Sequence, residues 1–265
     1  MHSFRLLCSL VVCAALTVAA GSAFAQSPDL QPPAPVLPQT LSRDDTGRAT
    51  IRAVRVTTPM RVDGKLDEAV YASVQPASDF IQMEPRGGQP ATEKTEVWIF
   101  YDQNNVYVSF KAWESAPEKM IANEMRRDSG NVRQGDSVGF GFDTFRDRRN
   151  GLQFESNRLG ARTDGQSTNE RQYNGDWNPV WRLRAGTFEG GWTIEASIPF
   201  KSIRYAPGTV QDWGFQARRT NKWKNEIAYL TKVPPAFGMG RADFSASLYA
   251  NLVGLEAPPQ SRVLE

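Results

Sequence analysis

Histidine and cysteine are all but missing from this chain: the one histidine is His2 and the two cysteines are Cys8 and Cys13. All three fall in a segment that reads as an export leader. His2 and Arg5 make a short polar start, Leu6 to Ala20 is apolar, and Ala23-Phe24-Ala25 is an A-x-A cleavage pattern. That run is too short to anchor in a bilayer. A lipoprotein reading at Leu10-Val11-Val12-Cys13 fits less well, because the residue before such a cysteine is normally small. With cleavage after Ala25, what remains has no imidazole and no thiol. That excludes a Ser-His-Asp triad, a cysteine nucleophile, a zinc site of the usual ligands and a disulfide. Charge of one sign is also lacking. Arg5 is the only charged residue among the first 25, so 30 basic residues face 29 acidic ones, a net of +1. Such a balance implies neither nucleic acid nor an anionic surface as partner. Long amphipathic helical patterns and internal repeats are absent too. The chemistry left to the chain is that of carboxylates, Arg and Lys, hydroxyls, amides and aromatic rings.

What is present is a series of short alternating runs. Residues 26–48 hold Pro28, Pro32, Pro33, Pro35 and Pro38 without apolar periodicity, the composition of an extended, poorly ordered linker. Residues 49–255 read as one folded domain, and 256–265, with Pro258-Pro259, as a tail or the start of a further region. Val106, Val108, Phe110 and Ala112 alternate along the second strand of a hairpin turned at Asp102-Gln103-Asn104-Asn105. Further strands are expected at 138–144, 151–157, 180–185, 191–198, 213–219, 226–231 and 248–255, with a short helix near Leu66 to Val74. Many short strands and little helix predict an all-β, antiparallel β-sandwich, jelly-roll-like, with short helical turns.

Candidate ligand-facing residues cluster around one strand. In Asp136-Ser137-Val138-Gly139-Phe140-Gly141-Phe142-Asp143, every second residue is Val138, Phe140 or Phe142, one apolar face. The other face carries Gly139 and Gly141 and leaves room for something to approach. Before it, Arg126, Arg127, Asp128, Arg133 and Asp136 could bond vicinal hydroxyls; the plainer reading is a solvated salt-bridge network. Asp143 to Arg149 sets charged residues around Phe145 and could recognise an acidic sugar or phosphate; the plainer reading is a polar turn between strands. Trp177 and Trp181 bracket Asn178-Pro179, with Trp177 the candidate for stacking on a sugar ring and Trp181 for the core. Asp164 and Asp176, amid Asn169 and Asn178, are oxygen ligands of the kind calcium takes, though no EF-hand spacing accompanies them. No carboxylate pair with a glycosidase signature stands out.

The order of motifs carries a resemblance. Val62-Asp63-Gly64-Lys65-Leu66-Asp67-Glu68-Ala69, Thr95-Glu96-Val97, Val106-Tyr107-Val108, the Asp136–Asp143 run, Gly191-Trp192-Thr193-Ile194-Glu195-Ala196-Ser197-Ile198-Pro199 and Trp213-Gly214-Phe215 together resemble a family 9 carbohydrate-binding module over about 50–255. The resemblance implies a β-sandwich that holds a glycan end between two tryptophans, with a glutamate, an arginine and an asparagine on the hydroxyls and calcium supporting the loops. Carried over, Arg133 lies nearest the first tryptophan, Gly139 takes the place of the glutamate, Glu155 falls near the arginine, and Phe237 is what the second tryptophan's loop offers. Arg218 completes the candidate set. A closer likeness, through Arg126-Arg127-Asp128, Asp143 to Arg149 and Asp176 to Trp181, is to exported bacterial proteins in which this module precedes a C-terminal outer-membrane barrel-like region. The expectation is a non-catalytic domain that recognises a polysaccharide or oligosaccharide for carbohydrate breakdown at the cell envelope, exported to the periplasm or outer membrane. Two alternatives stand beside it: a structural module of a barrel protein, and part of a glycoside hydrolase.

Overall fold

Period-two alternation over short, turn-bounded runs gives the chain strands with one apolar face each, and two such faces bury one another. The structure, a computed structural model, describes residues 31–260, so the leader-like segment 1–25 lies outside the described residues. In chain order the elements are β1 (Leu41–Arg43), β2 (Ala49–Arg52), β3 (Val54–Arg55), α1 (Ala69–Ser73), β4 (Ile81–Glu84), β5 (Thr95–Tyr101), β6 (Asn105–Trp113), β7 (Ser137–Asp143) and β8 (Gly151–Asn157). Then follow β9 (Arg162–Thr168), β10 (Gln172–Asn174), β11 (Arg182–Phe188), β12 (Gly191–Pro199), β13 (Val210–Asn221), β14 (Glu226–Tyr229), α2 (Gly238–Phe244) and β15 (Ala250–Glu256). A ten-stranded sheet runs β1-β2-β15-β13-β7-β8-β9-β10, with β14 and β4 attached alongside β13, and a five-stranded sheet runs β11-β12-β6-β5-β3. Pairing is antiparallel except at β2–β15 and β3–β5. The antiparallel sandwich expected from the sequence is what forms.

The core lies between the sheets. Val106, Val108, Phe110 and Ala112 of β6 and Trp192, Ile194, Ala196 and Ile198 of β12 meet Val138, Phe140 and Phe142 of β7 and Trp213, Phe215 and Ala217 of β13, all buried in one cluster. Phe140 stacks on Phe154 of β8 with centroids 5.1 Å apart. A second cluster covers the outer face of the five-stranded sheet, where Tyr71 of α1 meets Trp98 and Phe100 edge-on at 5.3 and 5.4 Å.

The proline-rich stretch departs from the extended linker expected up to Arg48, because from residue 31 it is seated on the sheet. Proline lacks an N–H but keeps its carbonyl acceptor. Thr50 Oγ1 donates to the Pro32 carbonyl and Arg52 Nε to the Pro35 carbonyl at 2.7 Å. β1 then pairs with β2, and Arg43 Nη2 reaches the Leu230 carbonyl at 2.7 Å. The expected tail likewise begins inside the fold: Glu256 ends β15, and Tyr205 donates to the Pro258 carbonyl at 2.7 Å.

Candidate functional site

Register places the candidate residues of the ten-stranded sheet in rows across its outer face. Arg218 of β13 stands opposite Gly139 of β7, which stands opposite Glu155 of β8. The next row is Gln216, Gly141 and Gln153. An arginine and a glutamate two strands apart can meet only across an intervening residue with no side chain, and Gly139 is that residue. A Cβ there would stand 3.0 Å from Arg218 Nη2, and one on Gly141 would stand 2.5 Å from the Tyr249 hydroxyl. The glycines expected to leave an open approach therefore accommodate side chains of the chain itself.

These side chains form a buried ionic network. Glu155 accepts from Arg218 Nη2 on one oxygen and from Arg133 Nε and Nη2, at 3.1 and 2.8 Å, on the other. Arg218 Nε lies 3.4 Å from Asp243 of α2, whose carboxylate accepts from the Tyr229 hydroxyl at 2.9 Å. Burial by itself would raise the Glu155 pKa, but the Arg218 and Arg133 guanidiniums outweigh it and hold the carboxyl below its ordinary value. For Asp243 burial wins over Arg218, and its pKa is raised. Arg133, Gln153, Glu155, Gln216, Asp243 and Tyr249 surround a cavity of about 20 Å³. That is room for one water and not for a sugar ring. Gln153 Oε1 and Arg218 Nε, both without a hydrogen bond among the described residues, are the groups such a water would serve.

The lowered pKa of Glu155 sets a pH dependence. The unfolded chain takes up this proton first as pH falls, so the contribution is complete above the ordinary glutamate value of 4.5 and is lost as pH drops through the lower folded value. Urea midpoints should therefore fall with acidification below that value, and Glu155→Gln should flatten this part of the slope. An identical slope in the variant would remove Glu155 from the acid response.

The remaining candidates are distributed elsewhere. Arg127 donates through Nη2 to Asp164 at 3.0 Å and to Asn178, and through Nε to Asp128 at 3.0 Å, an ion-paired loop at the edge of β9. Asp136 is fully buried and binds the backbone N–H groups of Ile121 and Lys222, so it ties two loops together and does not stand on an accessible rim. Phe237 packs beside Met239 and Tyr229 with the Arg241 guanidinium 4.9 Å over its ring. Asp164 is buried beneath Trp181, whose Nε1 donates to it at 3.2 Å, and Asp176 is exposed on the turn after β10. With its oxygens taken by an indole and a guanidinium, Asp164 does not fit calcium, which takes 6–8 oxygens. Among the described residues no group of three acidic side chains is placed to hold a metal.

Trp177 belongs to a different place. Half-buried, it meets Phe154 edge-on at 5.8 Å and forms one wall of a cleft of about 460 Å³ at the end of the sandwich. Thr144, Phe145, Asn150, Gln166, Lys201 and Arg204 also line it. Thus Arg133, Glu155 and Arg218 come together, while Trp177 and Phe237 join neither them nor each other. Lys201 and Arg204 are cleft residues that the sequence does not single out; Phe145 stands amid the charged Asp143–Arg149 turn, which becomes a cleft wall once the β12–β13 turn is folded against it.

No protein-family model and no curated protein sequence matches the chain. Solved structures do. A family 9 carbohydrate-binding module from Caldicellulosiruptor kristjanssonii in complex with cellotriose superposes with a TM-score of 0.54 at 16% identity, over 81% of this chain and 97% of the module. The same TM-score and identity hold for a family 9 module of that organism with glucose, over 80% and 97%. A protein from Bacteroides uniformis assigned to carbohydrate binding gives a TM-score of 0.61 at 8% identity, over 79% and 99%. The chain has the fold of the family 9 carbohydrate-binding modules.

Proposed function

We propose that this chain is a non-catalytic carbohydrate-binding domain that takes its saccharide in the Trp177 cleft. The observation that carries the reading is the cleft itself. Its volume of about 460 Å³ suits a small ligand, and its Trp177 wall is held by Phe154 in a fixed orientation. A sugar presents C–H faces to an aromatic ring and hydroxyls to its edges. Gln166 and Ser202 line the cleft with side chains that make no hydrogen bond among the described residues, free to meet those hydroxyls. The fold shared with modules in complex with cellotriose and glucose supports the ligand class. The outer face, filled by Arg133, Glu155 and Arg218, argues for the cleft as the place. Supporting a non-catalytic role, no carboxylate among the described residues lines the cleft, whereas glycoside hydrolysis uses a pair of them. The leader-like residues 1–25 and the likeness to exported barrel-linked proteins place this recognition, in our reading, in carbohydrate breakdown at the cell envelope.

Calorimetric titration of the full chain with glucose, cellotriose, xylan and mannan tests the reading. Removal of an aromatic hot spot costs about 2 kcal/mol or more, so Trp177→Ala should weaken binding by about thirtyfold while thermal unfolding confirms the fold. No binding at millimolar saccharide, or binding indifferent to Trp177→Ala, would overturn it.

A further inference from the structure

We infer that the cleft selects an acidic saccharide, one whose carboxylate or sulfate ester is held between Lys201 and Arg204; this rests on the Trp177 cleft as the saccharide site. Among the described residues the two cations are the only charged ones lining it. Neither side chain makes an ion pair or hydrogen bond among the described residues.

Of the acids near the cleft walls in sequence, Asp143, Asp147 and Asp212 are already engaged, while Asp176 beside Trp177 is exposed. Asp143 accepts from the backbone N–H groups of Asp147 and Arg148, at 3.2 and 2.7 Å. Asp147 accepts from those of Arg149 and Asn150, at 2.8 and 2.9 Å. Asp212 lies 3.7 Å from Arg146. Among the described residues the cleft lining thus carries charge of one sign, positive, although the chain as a whole is nearly neutral, with net charge +2. A pair of cations beside an aromatic wall can donate to the hydroxyls of a neutral sugar, but it gains an ion pair only from an anion.

The backbones that carry the cations are also held in place. Lys201 and Arg204 flank a short turn between β12 and β13 that is pinned by buried Phe200 and Ile203, and the Arg204 carbonyl accepts from Thr144 Oγ1 at 2.6 Å across the cleft floor. Their backbones are therefore ordered before a ligand arrives, so less ordering cost falls on binding. The guanidinium of Arg204 offers a planar fork that suits a carboxylate or a sulfate, with Lys201 as a point charge beside it.

The experiment compares three probes on the full chain by calorimetry at low and physiological salt: a galacturonic acid disaccharide, its methyl ester and a sulfated galactose disaccharide, with cellotriose as neutral reference. The ester keeps the rings and removes the charge. Expected is about tenfold tighter binding of an acidic probe than of the ester, equal to about 1.4 kcal/mol, narrowing as salt rises. The doubly substituted Lys201→Gln, Arg204→Gln chain should bind acid and ester alike. Whichever acidic probe binds tighter identifies the acid group. Equal affinity for acid and ester in the unsubstituted chain overturns the selection while leaving saccharide binding in the cleft standing. A preference that survives the double substitution overturns the assignment to Lys201 and Arg204. Failure of all four probes overturns the cleft as a saccharide site and this inference with it.

Discussion

Replacing Glu155 by alanine should destabilise the protein by about 3–5 kcal/mol, the cost of stranding buried charge. Two guanidiniums converge on this carboxylate, and one of them, on Arg218, is itself 2% exposed. Without Glu155, the one carboxylate left to Arg218 among the described residues is Asp243 at 3.4 Å, and Arg133 loses both of its hydrogen bonds to the face. Unfolding temperature should drop by roughly 10–15 °C for a domain of this size. The converse experiment separates stability from charge satisfaction. Glu155→Leu combined with Arg218→Met removes both charges and leaves apolar volume. Exchanging an entire buried pair for apolar side chains is often close to neutral. The double variant should therefore be more stable than Glu155→Ala alone. A single-variant loss below about 1 kcal/mol, the scale of an exposed pair, would mean that water reaches the network and that the face is open after all.

This network also explains which part of the protein could be read in advance. Strands β5, β6, β7, β8, β12 and β13 were legible because each alternates between core and exterior, and the family-like motifs fall on these strands and on the turn before α1. β9 escaped because Arg162–Thr168 carries polar residues on both faces: Asp164 points to the core side but satisfies Trp181 and Arg127. β10, three exposed polar residues at a sheet edge, has no apolar face to announce it. The candidate site was legible in parts. Arg133, Glu155 and Arg218 do converge, through a register that a sequence gives only once strand neighbours are known. What the pattern could not supply was the roof. Asp243 on α2 and Tyr249 before β15 come from beyond β14, and their reach over Gly141 decides that the face is filled. Trp177 was found for its chemistry, but its neighbours Lys201 and Arg204 come from a turn distant in sequence, with no periodicity to tie them to it.

At Gly186, alanine should cost about 3–5 kcal/mol, because the obstacle is backbone and cannot rotate aside. Gly186 of β11 stands opposite Thr193 of β12. A Cβ there would collide with the Gly64 carbonyl and stand 2.6 Å from Thr193 Oγ1, the hydroxyl that donates to that carbonyl at 2.6 Å. Gly64 itself turns with φ +88°, and a Cβ on it would meet the Ala185 carbonyl at 2.7 Å, so the two segments are in contact from both sides. Glu195 closes the arrangement: one carboxylate oxygen accepts the N–H groups of Asp63 and Gly64, at 3.0 and 2.7 Å, and the other accepts the Tyr71 hydroxyl at 2.9 Å. The Val62-Asp63-Gly64 motif and the glutamate of the Trp192–Pro199 motif are thus two halves of one clasp, which seats α1 on Trp98 and Phe100. Glu195→Ala, leaving the Asp63 and Gly64 N–H groups unserved and the Tyr71 hydroxyl with Ser109 alone, should lose about 3 kcal/mol by denaturant unfolding. Since both substitutions release the same turn, their combination should cost clearly less than the two losses together. Strict additivity would show that Gly186 and Glu195 act on separate structures, and a Gly186→Ala loss under about 1 kcal/mol would mean that the turn yields without strain.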